Sequence, residues 1–283
     1  MKETSKSDLK NSEIAAAINT LAAFCGTNDL PDLSKESLLK TFGIDQVDVA
    51  VLFGGSIPEG AVRFGEILKQ NLARHTVIVG GEGHTTAALR ALMQKELPET
   101  DCSHLCEAEL FNQYLKKNTD CSTDYLETKS TNCGNNITNL LDLLETNGIH
   151  PKSILLMQDA TMQKRMDAVL RKYHPDWTIL NVPAYQARVT DQNGNLCFDE
   201  PSAVLFGMWP MDRYITLLMG EIPRLQDDEN GYGPNGKGFL AHVDLPEDVQ
   251  NAFEILKSVY EDQVRPANPL YATKAEGGSE GKN

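Results

Sequence analysis

Short runs of apolar residues, each bounded by polar or glycine-rich segments, recur along much of the chain. Runs of this length without polar alternation are typical of strands that are buried on both faces of a parallel sheet. The four clear predicted strands are Val47–Phe53 and residues 76–79, 154–157 and 177–182. Residues 124–127 form a fifth and weaker strand candidate.

The segments between these runs carry apolar residues at helical spacing. Ile137, Leu140 and Leu144 would share one helix face, and so would Met166 and Leu170. Strands that alternate with helices imply right-handed crossover connections. The pattern therefore predicts an α/β fold: a Rossmann-like, doubly wound and mainly parallel sheet with helices on both faces and a C-terminal helical part.

The same pattern divides the chain into four parts. Residues 1–45 are predicted to form N-terminal helices, and residues 46–200 a Rossmann-like ligand-binding domain. That domain includes an Asn-Gly pair at 193–194, which is typical of a tight hairpin turn. Residues 201–265 are predicted to form the helical C-terminal part, and residues 266–283 are expected to be a flexible tail.

Charge and composition restrict the partners that the chain would bind. A formal net charge of −14 over 283 residues repels phosphate backbones and anionic lipid heads, so we expect neither nucleic acid nor a membrane surface as a partner. No apolar stretch in the sequence is long enough for a spanning helix, and the first residues are polar, so a cytoplasmic location is expected. The six cysteines lack paired CxxC spacing, which favours reduced thiols.

The turns that follow the predicted strands hold the candidate chemistry. In an open α/β sheet, the carboxyl ends of the strands and the following helix starts surround one crevice, where a ligand can bind. Ordinary βα-turn chemistry accounts for any one of these turns, but four polar turns at one edge favour a binding site. The predicted ligand-binding residues are Gly54, Gly55, Ser56, Gly81, Gly83, Thr85, Thr131, Asn132, Asn135, Asp159, Thr161 and Arg165.

Some of these side chains suggest particular roles. Asp159 could bind a hydroxyl or an amine of a ligand, and Arg165 offers a fixed positive charge; alternatively, the two pair with each other. His84, Glu82 and Glu109 are the candidate catalytic residues, as groups that could transfer protons. The alternative is that each of these three lies on a solvated helix face or loop.

Other motifs do not reach the pattern that their chemistry requires. Cys102 and Cys106 are spaced one helical turn apart, but His104 would point away from their shared face, which argues against a metal site. The acidic segment after residue 226 fails the calcium-loop pattern because Lys237 falls where a bidentate carboxylate is needed. No GxSxG or GxxxxGK[ST] motif is found in the sequence.

The turns resemble those of a bacterial family that includes YdcF and, in other branches, SanA and ElyC. The similarity covers about residues 49–249 and is carried by Ser130-Thr-Asn-Cys-Gly-Asn135, by Gln158-Asp-Ala-Thr-Met-Gln-Lys-Arg165 and by Trp209-Pro-Met-Asp-Arg-Tyr214. The resemblance implies a Rossmann-like domain that binds S-adenosylmethionine. No GxGxG turn follows the first predicted strand, so this ligand would be held differently than in ordinary methyltransferases.

Three functional hypotheses follow. The first is a cytoplasmic protein that binds a nucleotide-like small molecule, with S-adenosylmethionine as the leading ligand and no established reaction. The second is a hydrolase or transferase that acts on a sugar-phosphate or cell-wall precursor through Glu82, Glu109 and His84. The third is an interaction protein or homodimer, with aromatic anchors of the kind that dominate interfaces. Those anchors would be Trp209, Tyr214 and Tyr232.

Overall fold

The computed structural model describes residues 9–55, 57–83 and 85–260. The predicted site residues Ser56 and His84, and the predicted tail at 266–283, lie outside the described residues. Five parallel strands form one sheet in the order β3-β2-β1-β4-β5. This order, with helices around the sheet, confirms the predicted Rossmann-like fold. The strands are β1 (Val47–Phe53), β2 (Ala73–Val79), β3 (Tyr125–Glu127), β4 (Ser153–Met157) and β5 (Thr178–Asn181).

Helices cover both faces of the sheet because its central strands are apolar on both sides. Val49 and Val51 of β1 face a cluster that includes Ile137 and Met166, whereas Leu52 faces the opposite cluster. The helices are α1 (Asn11–Cys25), α2 (Lys35–Phe42), α3 (Glu59–Lys69), α4 (Thr86–Glu96), α5 (Glu107–Thr119), α6 (Cys133–Thr146), α7 (Gln163–Tyr173), α8 (Met211–Leu225) and α9 (Glu247–Val259). Helices α6 and α7 lie on the Val49 face, and α1, α3, α5, α8 and α9 contribute to the Leu52 face.

Strand β2 begins three residues before its apolar run. Ala73 pairs with Val47, and the next residues, Arg74 and His75, extend the pairing although they are polar. Arg74 is exposed and its guanidinium lies 3.4 Å from the Asp48 carboxylate. The start of β2 therefore lies at the open amino edge of the sheet, where strand residues need not be apolar.

A two-stranded hairpin follows the sheet, as the Asn-Gly pair predicts. Strands β6 (Val189–Gln192) and β7 (Asn195–Phe198) pair antiparallel, and Asn193 and Gly194 have φ of 55° and 81°. Positive φ at both central residues is the geometry of a type I′ turn. The Asn19 side chain donates to the Val189 carbonyl and accepts from its N–H, both at 2.8 Å, which fixes the hairpin to α1.

Within the described part of the chain, none of the helices combines the length and the apolar composition that crossing a membrane requires.

A glycine-rich loop connects α8 to α9 and is held by His242. The Nδ1 atom of His242 lies 2.6 Å from Asp227 Oδ2, and its Nε2 atom lies 3.0 Å from Asp244 Oδ1. Asp227 also accepts a 2.6 Å hydrogen bond from the Asn235 N–H. The hydrogen bonds to Asp227 and then to Asp244 raise the pKa of His242. When it is protonated, the imidazole can donate to both carboxylates and so joins them across the loop.

The pH dependence of this contact has a defined direction. A histidine whose pKa is raised in the folded state stabilises the protein fully below its unfolded pKa of 6.5, and the contribution is lost as the pH rises through the folded value. We expect Asp227→Asn to lower the His242 pKa more than Asp244→Asn does, because Asp227 is the larger cause. NMR titration of the ring measures both shifts. Equal shifts in the two variants would contradict this assignment.

Candidate functional site

The strand order places a topological switch point between β1 and β4. From β1 the chain moves outward to β2 and β3, and then returns to β4 on the other side of β1. In open α/β sheets, ligands bind outside the carboxyl ends of the strands at such a point. All five strands run parallel, so the turns after them lie along one edge. The predicted site turns thus share one rim of the sheet.

Glu107, the first residue of α5, lies between the turns that follow β1 and β2. Its N–H donates to the Gly81 carbonyl at 3.0 Å, and the Ala108 N–H donates to the Gly80 carbonyl at 2.8 Å. A Cβ atom on Gly54 would lie 2.7 Å from Glu107 Oε2, and a Cβ on Gly80 would lie 2.9 Å from Glu107 Cβ. The two glycines therefore leave space for the Glu107 side chain at the rim.

Two threonine hydroxyls surround the Glu107 carboxylate. Glu107 Oε1 accepts from Thr86 Oγ1 at 2.8 Å and from Thr85 Oγ1 at 3.5 Å, and the Gly83 N–H donates to Thr86 Oγ1 at 2.7 Å. Burial raises the pKa of the Glu107 carboxyl, and these hydroxyls oppose the shift only in part. A carboxyl whose pKa is raised by burial is suited to proton transfer, whereas a cationic group placed beside it would favour its ionised form. Glu107 was missed by the sequence analysis.

The predicted glycines divide into two kinds. A Cβ on Gly81 would lie 2.3 Å from the Ser130 carbonyl oxygen, so the backbone of the β3 turn requires glycine there. For Gly55 and Gly83 the nearest atoms would lie at 3.6 Å and 3.8 Å, which is ordinary contact distance. Gly55 and Gly83 are therefore the predicted glycines at which an added side-chain carbon would meet no close contact.

Gln158, the first residue after β4, carries an unpaired buried donor. Its Oε1 accepts from the Asp159 N–H at 2.6 Å, and its side chain is almost completely buried. Its Nε2 is one of the buried side-chain atoms without a hydrogen-bond partner among the described residues. Gln158 Oε1 would lie 3.6 Å from a Cβ on Gly55. Glu107 and Gln158 thus flank the Gly54–Gly55 turn from the β2 side and the β4 side.

Asp159 is surrounded by donors from the protein itself. Its Oδ1 accepts from the Thr161 N–H at 2.9 Å, from the Thr161 hydroxyl at 2.7 Å and from the Tyr185 hydroxyl at 2.9 Å, and its Oδ2 accepts from Trp209 Nε1 at 3.0 Å. Burial and the Asp159 charge raise the pKa of Tyr185, so its hydroxyl stays a donor. Asp159 therefore joins three segments: its own turn after β4, with Thr161, the segment after β5 that holds Tyr185, and the segment before α8 that holds Trp209.

Arg165 pairs with Glu221 of α8, and the alternative of an Arg165–Asp159 pair is wrong. Arg165 Nε lies 2.5 Å from Glu221 Oε2, and Nη2 lies 2.9 Å from Oε1. The side chains are 14% and 6% exposed. Two parallel charge-assisted bonds fix both the position and the plane of the guanidinium. This geometry makes Arg165 a buried link between α7 and α8.

The turn after β3 is organised by its own side chains. Asn132 caps α6 by accepting from the Asn135 N–H at 3.0 Å, so this amide is already bonded. Asn132 Nδ2 and the Thr131 hydroxyl both donate to Asn135 Oδ1, at 2.8 Å and 3.1 Å. Glu127 accepts from the N–H groups of Lys129 and Ser130. These three predicted site residues lie on the rim but mainly hold the turn.

The two described catalytic candidates have other partners. Glu82 is exposed and forms an ion pair with Arg90. Glu109 accepts from the Cys106 N–H at 2.9 Å and so caps the start of α5. A glutamate at the third helical position commonly bonds back in this way. Applied to the sequence, this capping pattern assigns Glu109 to the helix start at Cys106. Glu107 is then the glutamate at the start of α5 that is left for the crevice.

A separate half-open groove of about 550 Å³ lies between α1 and the chain after β5. Two of its polar side chains are already engaged, since Asn19 bonds to Val189 and Tyr185 bonds to Asp159. Gln186, Arg188 and Tyr214 also line the groove. Most of the remaining lining is alanine and glycine. The groove does not include Gly54, Gly55 or Glu107, and we place the candidate site at the Gly54–Gly55 turn, where the topological switch point lies.

The proposed aromatic anchors contact the rest of the chain. Tyr214 is 1% exposed and packs edge-on against Phe198. Trp209 bonds to Asp159, and Tyr232 packs edge-on against Phe239. The predicted homodimer itself stays a prediction.

No group of three or more His, Cys, Asp or Glu side chains within the described ranges is arranged to hold a metal ion. No protein-family model matches the chain.

Proposed function

We propose that the chain is a cytoplasmic binding protein for a nucleotide-like small molecule, with S-adenosylmethionine as the leading ligand. The ligand lies in the crevice at the switch point, against the Gly54–Gly55 turn. The observation that carries this proposal is the pair of polar side chains, Glu107 and Gln158, that flank this turn. Both occupy the position at which open α/β sheets bind ligands.

Two further observations support this ligand class. The resemblance of the turns to those of YdcF-like proteins favours S-adenosylmethionine, whose sulfonium carries a positive charge. A net charge of −14 raises the local concentration of a cationic ligand relative to an anionic one. Glu107 at the rim is a carboxylate that can approach a cationic group directly. A free nucleoside triphosphate would place its negative charges near the same carboxylate and would be repelled by it.

Calorimetric titration with S-adenosylmethionine, S-adenosylhomocysteine and adenosine phosphates tests the proposal. We expect wild type to bind S-adenosylmethionine, and we expect Gly55→Ala to weaken binding about tenfold by placing a methyl group in the crevice. The substitution fits the chain, because the nearest atom would lie 3.6 Å from the new Cβ. The urea midpoint of Gly55→Ala should therefore equal that of wild type. Absence of binding across the whole panel would refute the proposal.

A second function, hydrolysis or transfer of a sugar-phosphate or cell-wall precursor, is favoured by one observation. Burial raises the pKa of the Glu107 carboxyl, as a general acid requires. Release of phosphate or sugar from a substrate panel would support this function if Glu107→Gln abolished it. Glu109→Gln is the matched control, because a glutamine can keep the cap of α5. Equal loss in both variants would argue against Glu107 as the acid.

A further inference from the structure

The unpaired amide of Gln158 limits the kind of ligand group that the crevice can hold. The orientation of this amide is fixed, because its oxygen accepts from the Asp159 N–H at 2.6 Å. Reversing the amide would bring two N–H groups together. The nitrogen therefore presents its hydrogens away from Asp159, and among the described residues no acceptor meets them. A buried donor of this kind gains a full hydrogen bond when a ligand supplies an acceptor oxygen.

Glu107 lies on the other side of the same turn and has the opposite character. Its Oε2 would lie 2.7 Å from a Cβ on Gly54, whereas Gln158 Oε1 would lie 3.6 Å from a Cβ on Gly55. The two glycine Cα atoms are about 3.8 Å apart, as consecutive residues are. The Glu107 carboxylate and the Gln158 side chain are thus in contact distance of two consecutive residues of one turn, on its two sides.

This arrangement discriminates between ligand groups. A phosphate would accept from Gln158 but would bring its negative charge against Glu107, and like charges at short distance repel. An amine alone would satisfy Glu107 and leave the Gln158 nitrogen unpaired. A group that carries an ammonium beside a carboxylate satisfies both side chains.

We infer that the Gly54–Gly55 turn receives the α-amino-acid end of the ligand, with Gln158 donating to its carboxylate and Glu107 accepting from its ammonium group. This inference rests on the proposed function, since it names the part of the ligand that the same crevice recognises. Gln158 then acts as a specificity-determining residue. The nucleoside part of the ligand extends from the turn along the rim.

A ligand series on wild type tests the inference without any substitution. The probes are S-adenosylmethionine, its decarboxylated derivative, which keeps the amine, and methylthioadenosine, which lacks the amino-acid end. We expect both truncated compounds to bind at least about tenfold more weakly, the effect of losing one buried hydrogen bond to a charged group. Equal affinities for all three would overturn the inference and leave the proposed function standing. Binding of none of them would refute the proposed function itself.

Gln158→Glu then assigns the carboxylate contact. The new side chain keeps the acceptor for the Asp159 N–H but replaces the amide nitrogen with oxygen. We expect the variant to lose at least about tenfold in affinity for S-adenosylmethionine and to bind the decarboxylated derivative no more weakly than wild type does. Gln70→Glu is the control for added charge, because Gln70 is exposed at the end of α3. Parallel losses for both ligands, or an equal effect of Gln70→Glu, would overturn the role of Gln158.

Discussion

Arg165→Met is expected to lower the free energy of unfolding by about 3–5 kcal/mol, the range found when one partner of a buried ion pair is removed. The physical reason is that Glu221, 6% exposed in its side chain, would keep its charge without a partner. The double variant Arg165→Met/Glu221→Leu should recover to within about 1 kcal/mol of wild type, because neither charge is then buried alone. Urea unfolding of wild type, Arg165→Met, Glu221→Leu and the double variant measures the coupling between the two sites.

The exposed pair of Glu254 and Lys257, with 3.7 Å between Oε1 and Nζ, is the matched control. Glu254→Gln should change stability by less than about 1 kcal/mol, as surface ion pairs usually do. Additive losses at Arg165 and Glu221 would contradict the buried link. If the double variant also binds S-adenosylmethionine as wild type does, Arg165 acts in the fold and not in ligand recognition.

Asp159→Ala should destabilise the protein by about 4 kcal/mol. It removes the acceptor for the Tyr185 hydroxyl, for Trp209 Nε1 and for the Thr161 hydroxyl. Each buried donor left unpaired costs about 1–3 kcal/mol, and partial relaxation keeps the total below their sum.

Asp159→Asn is the graded control for this substitution. Its remaining oxygen can still accept from Tyr185 and Thr161, and the main loss is the bond to Trp209, so we expect about 1–2 kcal/mol. Urea unfolding followed by tryptophan fluorescence measures the effect where it arises, because Trp209 is one of the partners. A loss in Asp159→Ala no larger than in Asp159→Asn would mean that these bonds do not hold the three loops together.

Much of the fold could be predicted from the sequence because buried strands need continuous apolar residues. The predicted bounds of β1 match the structure, and the Asn193-Gly194 turn follows from the φ values that only a few residue types tolerate. The amino end of β2 was missed, because Arg74 and His75 lie where a strand meets solvent. A strand defined by hydrogen bonding can extend beyond its apolar run.

The site was predicted only in outline. The sequence places four polar turns on one rim, but it does not show which side chains are already bonded. The partners of Asp159 and Arg165 lie far away in the chain, at Tyr185, Trp209 and Glu221. Such long-range pairs are set by tertiary packing, which local spacing does not reveal.

Local sequence also does not decide between Glu107 and Glu109 as the carboxylate that reaches the crevice. The two carboxylates lie two residues apart at the start of α5, and both are common helix-start residues. Which one bonds back to the backbone and which one reaches the crevice depends on where the helix begins. A helix start two residues earlier would place Glu107 at the third helical position, where Glu109 now bonds back to the Cys106 N–H.

The packing of α1 against α8 and α9 has a consequence for how the protein is made. The apolar side of α1, with Ile14, Ile18 and Leu21, packs in a cluster with segments that are translated about 200 residues or more after it. During synthesis this surface lacks its contacts with α8 and α9 until those helices have been translated, which lengthens the period in which chaperones or non-native contacts can engage it. A ribosome that stalls before α9 would therefore present a nascent chain with an exposed apolar surface on α1, even if the central strands had already paired.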